Sequence, residues 1–236
     1  MTGTPTDLLL EPLAEDAWLL RFGNSIDTAV NARVHAAAAL IGSQLPDVEC
    51  VPAYASLLLR FDPTAWLDDD ATTGHRLREA IAAALKSTPA STIMPREVIL
   101  PVCYDGADLH EVAALAHLSA DEVVARHTGA SYRVAMLGFA PGFPYLLGLD
   151  AALATPRRSQ PRMSVPAGSV AIGGLQTGIY PQALPGGWQL IGRTPARLFD
   201  LSAASPSLLQ PGDHVRFQAI DERAYQRLAS GNGVAS

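Results

Sequence analysis

Residues 137–145 read LGFAPGFPY, two prolines and two glycines set among aromatic and aliphatic side chains. Pro141 and Pro144 lack amide donors and fix φ, while Gly138 and Gly142 open conformations that other residues rarely adopt. An ordinary helix or strand is therefore excluded, and a stiff apolar loop remains that carries Phe139, Phe143 and Tyr145. Its ordering is offset only by packing under a site or an interface. Three more phrases follow it: PRRSQPR at 156–162, VPAGSVAIGGLQTGIYP at 165–181 and PGGWQLIGRTP at 185–195. From Ser131 onward helical spacing disappears until 221–228. Glycine and proline instead punctuate short β-rich runs at 133–137, 169–172, 188–191 and 214–219. That rhythm predicts a small closed barrel or sandwich in the C-terminal half.

The N-terminal half has a different grammar. A short strand at 18–22 is followed by a helix whose Val30, Val34, Ala37 and Ile41 repeat at helical spacing, capped by Ser25 or Asp27 and ended by Pro46. Apolar runs at 48–53 and 56–61 read as strands. A second helix carries Leu77, Ile81 and Leu85, capped by Thr72 or Thr73. Pro89 and Pro95 bracket a loop before a further strand at 97–102. The order β, α, β, β, α, β predicts a ferredoxin-like α/β sandwich, with an extra edge strand at 8–11. Helices at 108–118 and 119–127 then form a connector, the second opened by a Ser119/Glu122 capping box. The expectation is an α+β protein of two lobes, 1–128 and 129–236.

At 236 residues and 48% apolar content, the chain suffices for two cores. Charged residues make up 17%, against roughly 25% in soluble proteins, which points to surface covered by a partner. A net charge of −6 excludes the basic face of a nucleic-acid binder. Cys50 and Cys103 are too few for a disulfide framework and lack zinc-ligand spacing. The start, MTGTPTD, shows no secretory pattern and no run approaches a membrane span, so a cytoplasmic location is expected.

Candidate chemistry gathers in the C-terminal phrases. Arg157, Arg158, Arg162 and Arg193 lie beside the turns of Pro156, Pro161 and Pro195. A planar guanidinium fork suits a carboxylate or phosphate; pairing with acidic residues of the same lobe is the alternative. Gly168, Gly173, Gly174 and Gly178 surround Ser169, Gln176, Thr177 and Tyr180. These neutral groups suit an amide, a lactam or a urea, or else β-turns whose hydroxyls bond locally. His127, beside the lobe boundary, serves either as an acid or base near neutral pH or as a structural helix-end histidine. There is no phosphate loop, dinucleotide fingerprint, nucleophile elbow or HExxH.

Taken in order, LGFAPGFPYLLGLD (137–150), PRRSQPR, VPAGSVAIGGLQTGIYP, PGGWQLIGRTPARLFD (185–200) and PGDHVRF (211–217) resemble the family of the bacterial 5-oxoprolinase B-type subunit, allophanate hydrolase subunit 1 and the sporulation-kinase inhibitor KipI. The sequence type is also similar to one half of the carboxyltransferase region of urea carboxylases. The resemblance implies an N-terminal α/β lobe and a C-terminal cyclophilin-like β-barrel. It further implies a heteromer with a C-type 5-oxoprolinase subunit, itself built on a related barrel, and cooperation with an A-type one. The implied reaction is the opening of 5-oxoproline (pyroglutamate) to glutamate at the expense of ATP. Where ATP binds is not implied. A KipI-like inhibitor of a sensor histidine kinase is one alternative. A urea-directed carboxyltransferase or allophanate-hydrolase component is another, and would draw its biotin carrier from a different chain. Carried onto this sequence, the catalytic positions are His127, Arg162, Gln176, Thr177 and Arg193. The substrate-binding positions are Phe139, Arg157, Arg158, Ser169, Tyr180 and Thr194, and no metal is implied. Two features depart from the family pattern: YDGADL (104–109) is shorter than its glycine-rich connection, and IGG replaces IAG at 172–174.

Overall fold

In the first unit, strand alternation supplies the core. Trp18 and Leu20 of β2 (Ala17–Arg21) turn inward, while β1 (Leu9–Ala14) covers its outer edge. After α1 (Thr28–Gln44), β3 (Glu49–Pro52) and β4 (Ser56–Arg60) form a hairpin, and α2 (His75–Lys86) closes the unit. Asp27 caps α1 by accepting from Val30 N at 2.9 Å, which resolves the Ser25/Asp27 alternative. The computed structural model describes residues 9–67, 74–87 and 96–231. The caps expected at Thr72 or Thr73 and the loop between Pro89 and Pro95 lie outside the described residues.

The antiparallel sheet runs β1-β2-β4-β3. Val34, Ala37 and Ile41 of α1 and Leu77 and Ile81 of α2 pack with Trp18, Leu20, Leu57 and Leu59 in one core. This is the ferredoxin-like arrangement with one correction. The fourth strand's place beside β2 is filled by β1, which precedes the motif. The strand expected there, β5 (Glu97–Val102), belongs to the second unit. The reason is burial: Leu100 and Val102 of β5 enter the second core, and Glu97–Val102 pairs in parallel along its whole length with β13 (His214–Ala219). The chain accordingly divides into Met1–Met94 and Pro95–Ser236, ahead of the boundary expected near Gly129.

In the second unit, α3 (Leu109–Ala116) and α4 (Ala120–Gly129) precede β6 (Tyr132–Leu137) and β7 (Pro144–Leu147). There follow β8 (Arg162–Val165), β9 (Ser169–Gly173), β10 (Gln176–Ile179), β11 (Leu184–Gly186) and β12 (Gln189–Arg193), then β13 and α5 (Glu222–Ser230). The Ser119 and Glu122 capping box of α4 is present in both directions. Seven strands join in the order β12-β9-β10-β7-β6-β13-β5, and β8 pairs separately with β11. The two edges of the seven-stranded sheet meet: Cys103 and Arg193 exchange backbone hydrogen bonds of 2.9 Å each. That contact turns the sheet into a barrel and removes its free edges. Its core holds Val134, Leu146, Val170, Ile172, Ile179, Ile191, Val215 and Phe217, covered by Val112 of α3 and Val123 of α4. No helix among the described residues is long and apolar enough to cross a membrane.

Local pattern does not reveal β7, β8, β10 and β11, because glycine and proline interrupt each of them or its borders. The segment 137–145 is the β6–β7 hairpin: Leu137 and Pro144 pair directly, and only 138–143 leave the ladder. Gly142 has φ +80°, and Phe139, without glycine's freedom, has φ +67°.

Past the closing bridge the chain continues along β12. Gly106 N donates to Ile191 O at 3.3 Å and Asp108 N to Leu190 O at 2.9 Å. A Cβ on Gly106 would overlap the backbone of Leu190 and Ile191. Gly106→Ala therefore must break these contacts, and a loss of about 1–3 kcal/mol is expected. A thermal melt unchanged from wild type would show that the closure does not depend on this approach.

Candidate functional site

One outer patch of the barrel is built on missing side chains. A Cβ on Gly173 would lie 2.6 Å from Trp188 Cε2, and one on Gly178 would lie 3.1 Å from Trp188 Cζ3 and 3.2 Å from Phe143 Cε1. The two glycines thus form a floor on which the Trp188 indole rests. Phe143 meets Tyr180 at 5.2 Å and Trp188 at 5.8 Å, both edge to face, and Tyr145 meets Trp188 at 5.8 Å. Phe139, 60% exposed, sets its ring edge to face on Phe143 at 5.4 Å. Holding a bulky non-glycine residue at positive φ costs on the order of 1 kcal/mol, so this exposed ring is kept in place against backbone preference.

Three arginines border the patch. The exposed Arg157 guanidinium lies 5.7 Å from the Trp188 ring centroid. Arg158 Nη1 and Arg162 Nη2 both donate to Asp108 Oδ1, at 3.1 and 2.7 Å. Asp108 Oδ2 accepts from Leu190 N at 2.7 Å. Arg158 also lies 3.7 Å from Glu111. Burial raises the pKa of Tyr180 against the opposing pull of a Trp188 backbone hydrogen bond and of Arg157 and Arg162.

The family model for the carboxyltransferase domain, subdomains C and D, matches residues 8–209. The chain belongs to this family. It is 44% identical over 229 residues to the B-type 5-oxoprolinase subunit of Bacillus subtilis, covering 92% of this chain and 94% of that one. The B-type 5-oxoprolinase subunit of Escherichia coli O157:H7 is 57% identical over 125 residues, covering 52% of this chain and 57% of that one. Among solved structures, TTHA0988 matches with TM-score 0.74 and 40% identity over 87% of this chain, which spans only 40% of that longer chain. The Kluyveromyces lactis urea carboxylase matches with TM-score 0.70 over 95% of this chain and 23% of its own, but at 20% identity it shares only the fold.

Within this family framework the expected site residues separate. Arg157, Arg158 and Arg162 converge on the outer patch, with Phe139 at its rim, whereas Tyr180, expected to bind substrate, is buried beneath it in the cluster of Phe143 and Trp188. Alternation along β9 and β10 turns Ser169 and Gln176 to the same outer side as Tyr180 and Thr177 to the opposite side. Gln176 and Thr177 therefore do not address one ligand together. Thr194 is buried, its hydroxyl accepting from Ala196 N at 3.2 Å, a local turn bond.

His127 and Thr177 belong to the barrel core. Thr177 Oγ1 donates to Ala171 O at 3.0 Å, so His127 Nε2–H, 3.0 Å away, donates to Thr177 Oγ1. His127 Nδ1 then accepts from the Tyr104 hydroxyl at 2.7 Å. Both ring nitrogens are used, the ring stacks on Phe217 at 4.5 Å, and no part of the residue is exposed. Burial lowers the pKa to about 3. Of the two roles read for His127, acid–base or structural helix-end histidine, this geometry fits the structural one, since a neutral imidazole closes the network.

Arg193 is also removed from the patch. It grips Asp105 with Nε at 2.9 Å and Nη2 at 2.7 Å, meets Glu222 at 2.6 Å, and lies 4.1 Å from the Tyr225 ring centroid. Cys103, Asp105 and Glu222 bring a sulfur and two carboxylates within 4.8 Å, but this guanidinium already supplies their countercharge. Asp108 is the site residue that sequence reasoning does not find. By local pattern it is only a helix start, and it stands 50 and 54 positions from its arginine partners, beyond any local signal.

Two outcomes follow. With His127 neutral in the fold and an unfolded pKa near 6.5, the unfolded chain binds the extra proton below that pH, so stability falls as pH drops. About 2 kcal/mol should be lost between pH 7 and 5, and His127→Gln should remove that slope from melts across this range. Arg193→Lys keeps the charge but loses the fork. Its partners are more than a third exposed, so roughly 1 kcal/mol of stability should go, with the turnover of an assembled complex unchanged. A fall in turnover without a fall in melting temperature would return Arg193 to the site.

Proposed function

We propose that this chain is the B-type subunit of an ATP-dependent 5-oxoprolinase that opens 5-oxoproline to glutamate in the cytoplasm, working with a C-type and an A-type subunit. The observation that carries the reading is the 44% identity to the B-type 5-oxoprolinase subunit of Bacillus subtilis along nearly the full length of both chains. The chemistry of the outer patch agrees with it. Arginines suit a substrate carboxylate, whereas Tyr180 and Gln176, 2% and 7% exposed, lie beneath the surface.

What supports a need for partners is the set of groups already committed elsewhere. His127 has both nitrogens hydrogen-bonded in the core, and Arg193 is held by two carboxylates. Phe139, exposed and held at positive φ, is the kind of rigid aromatic anchor that interfaces favour, and the β6–β7 loop is where we place the C-type subunit. The glycines of this chain do not fit a nucleotide cradle. Gly173 and Gly178 lie beneath Trp188, and Gly168 is pressed against Thr194 O. We therefore assign ATP to the assembly and route no step through it here.

The urea-directed reading has behind it only the breadth of the carboxyltransferase-domain family and a shared fold at 20% identity, and no observation favours a kinase inhibitor. Reconstitution tests the proposal. The purified chain alone should show negligible ATP-dependent glutamate formation from 5-oxoproline, and the mixture with its two partner subunits should show turnover. Full activity of the single chain, or none in the mixture, would sink it.

A further inference from the structure

Asp108 stands at the N-cap of α3, yet its side chain accepts from no amide of that helix. An aspartate at this position ordinarily stabilises its helix by about 1 kcal/mol through such a bond. Here the carboxylate, 3% exposed, is turned to Arg158, Arg162 and Leu190 N instead. Two guanidinia of like charge are thereby drawn onto a single oxygen. An arrangement of this kind is poorly balanced by itself.

The local charges do not cancel. Arg157, Arg158 and Arg162 carry three positive charges. Asp108 and the half-exposed Glu111 carry two negative ones. Arg157 has no ion pair among the described residues. Arg158 Nε and Arg162 Nη1 are covered but have no acceptor, and a buried charged donor left without a partner is costly. One further anion of single charge would neutralise the group, and it can approach the part of the two guanidinium side chains that stays open, 31% and 24% exposed. A carboxylate suits this with two oxygens in a plane, matching the guanidinium fork. A phosphate dianion would overshoot the charge.

We propose that Arg158 and Arg162, held in register by Asp108, clamp the carboxylate of the small-molecule substrate, with the rest of the ligand bordered by Arg157 and Tyr145. The carboxylate part of this assignment stands on the geometry; the lactam part rests on the oxoprolinase reading. Asp108 is a positioning residue, because it acts through the two arginines. Arg193 has no share in the clamp.

The test uses the full chain in complex with its partner subunits. In equilibrium dialysis without ATP, labelled 5-oxoproline should bind, and 2-pyrrolidinone, the same lactam without a carboxylate, should compete at least about tenfold less well. Arg162→Met and Arg158→Met should each weaken binding by about tenfold or more, as expected for the loss of charge-assisted hydrogen bonds, and Arg162→Lys should restore part of it. In turnover, Arg162→Met and Asp108→Asn should raise KM with kcat largely kept; a mere folding defect would lower kcat with the active fraction. Equal competition by 2-pyrrolidinone, unchanged affinity in Arg162→Met, or Arg162-dependent binding of inorganic phosphate in place of 5-oxoproline would overturn the clamp. If the wild-type complex neither binds nor turns over 5-oxoproline, the oxoprolinase reading fails, and acetate and glutamate then probe the clamp. Arg162-dependent binding of either would uphold it, and none would end it.

Discussion

The backbone pairing of Cys103 with Arg193 is the constraint on which the second unit rests. Without it the seven-stranded sheet would leave two open edges. With it, the chain after β5 is drawn along β12 as far as Asp108. The approach is close enough to demand glycine on both sides: a Cβ on Gly192 would lie 2.6 Å from Cys103 O, and one on Gly106 would overlap the opposite backbone. The same contact that closes the barrel therefore delivers Asp108 to the arginines. Fold and site share one piece of backbone.

Electrostatics then assigns different fates to chemically identical side chains. Arg193 meets two carboxylates and an aromatic ring, so its charge is answered within the protein. Arg158 and Arg162 share one buried carboxylate between two positive charges and stay 31% and 24% exposed. In partly desolvated surroundings that difference separates a structural staple from a group able to receive an anion. His127 follows the first pattern: complete hydrogen bonding and full burial keep it neutral, and its contribution is to the packing between α4 and the barrel.

Much of the architecture was legible in the chain itself. Helical spacing of Val34, Ala37 and Ile41, alternation at Trp18 and Leu20, and glycine–proline punctuation after Ser131 suffice for an α/β lobe followed by a barrel. The ordered phrases from 137 to 217 led to the family. Boundaries fared worse, because the strand at 97–102 suits either lobe by local pattern, and only its parallel pairing with β13 decides between them.

The site divides along the same line. Local sequence determined which residue types were present and that prolines and glycines would hold them rigidly, because propensity and turn chemistry act over a few residues. Tertiary structure alone decided which carboxylates each arginine meets, since Asp105, Asp108 and Glu222 are distant from them in sequence. It also decided that Gln176 and Thr177, adjacent in the chain, face opposite ways: a strand turns successive side chains to opposite sides, and the glycine-rich stretch around them did not read as a strand until its neighbours β7 and β9 paired with it.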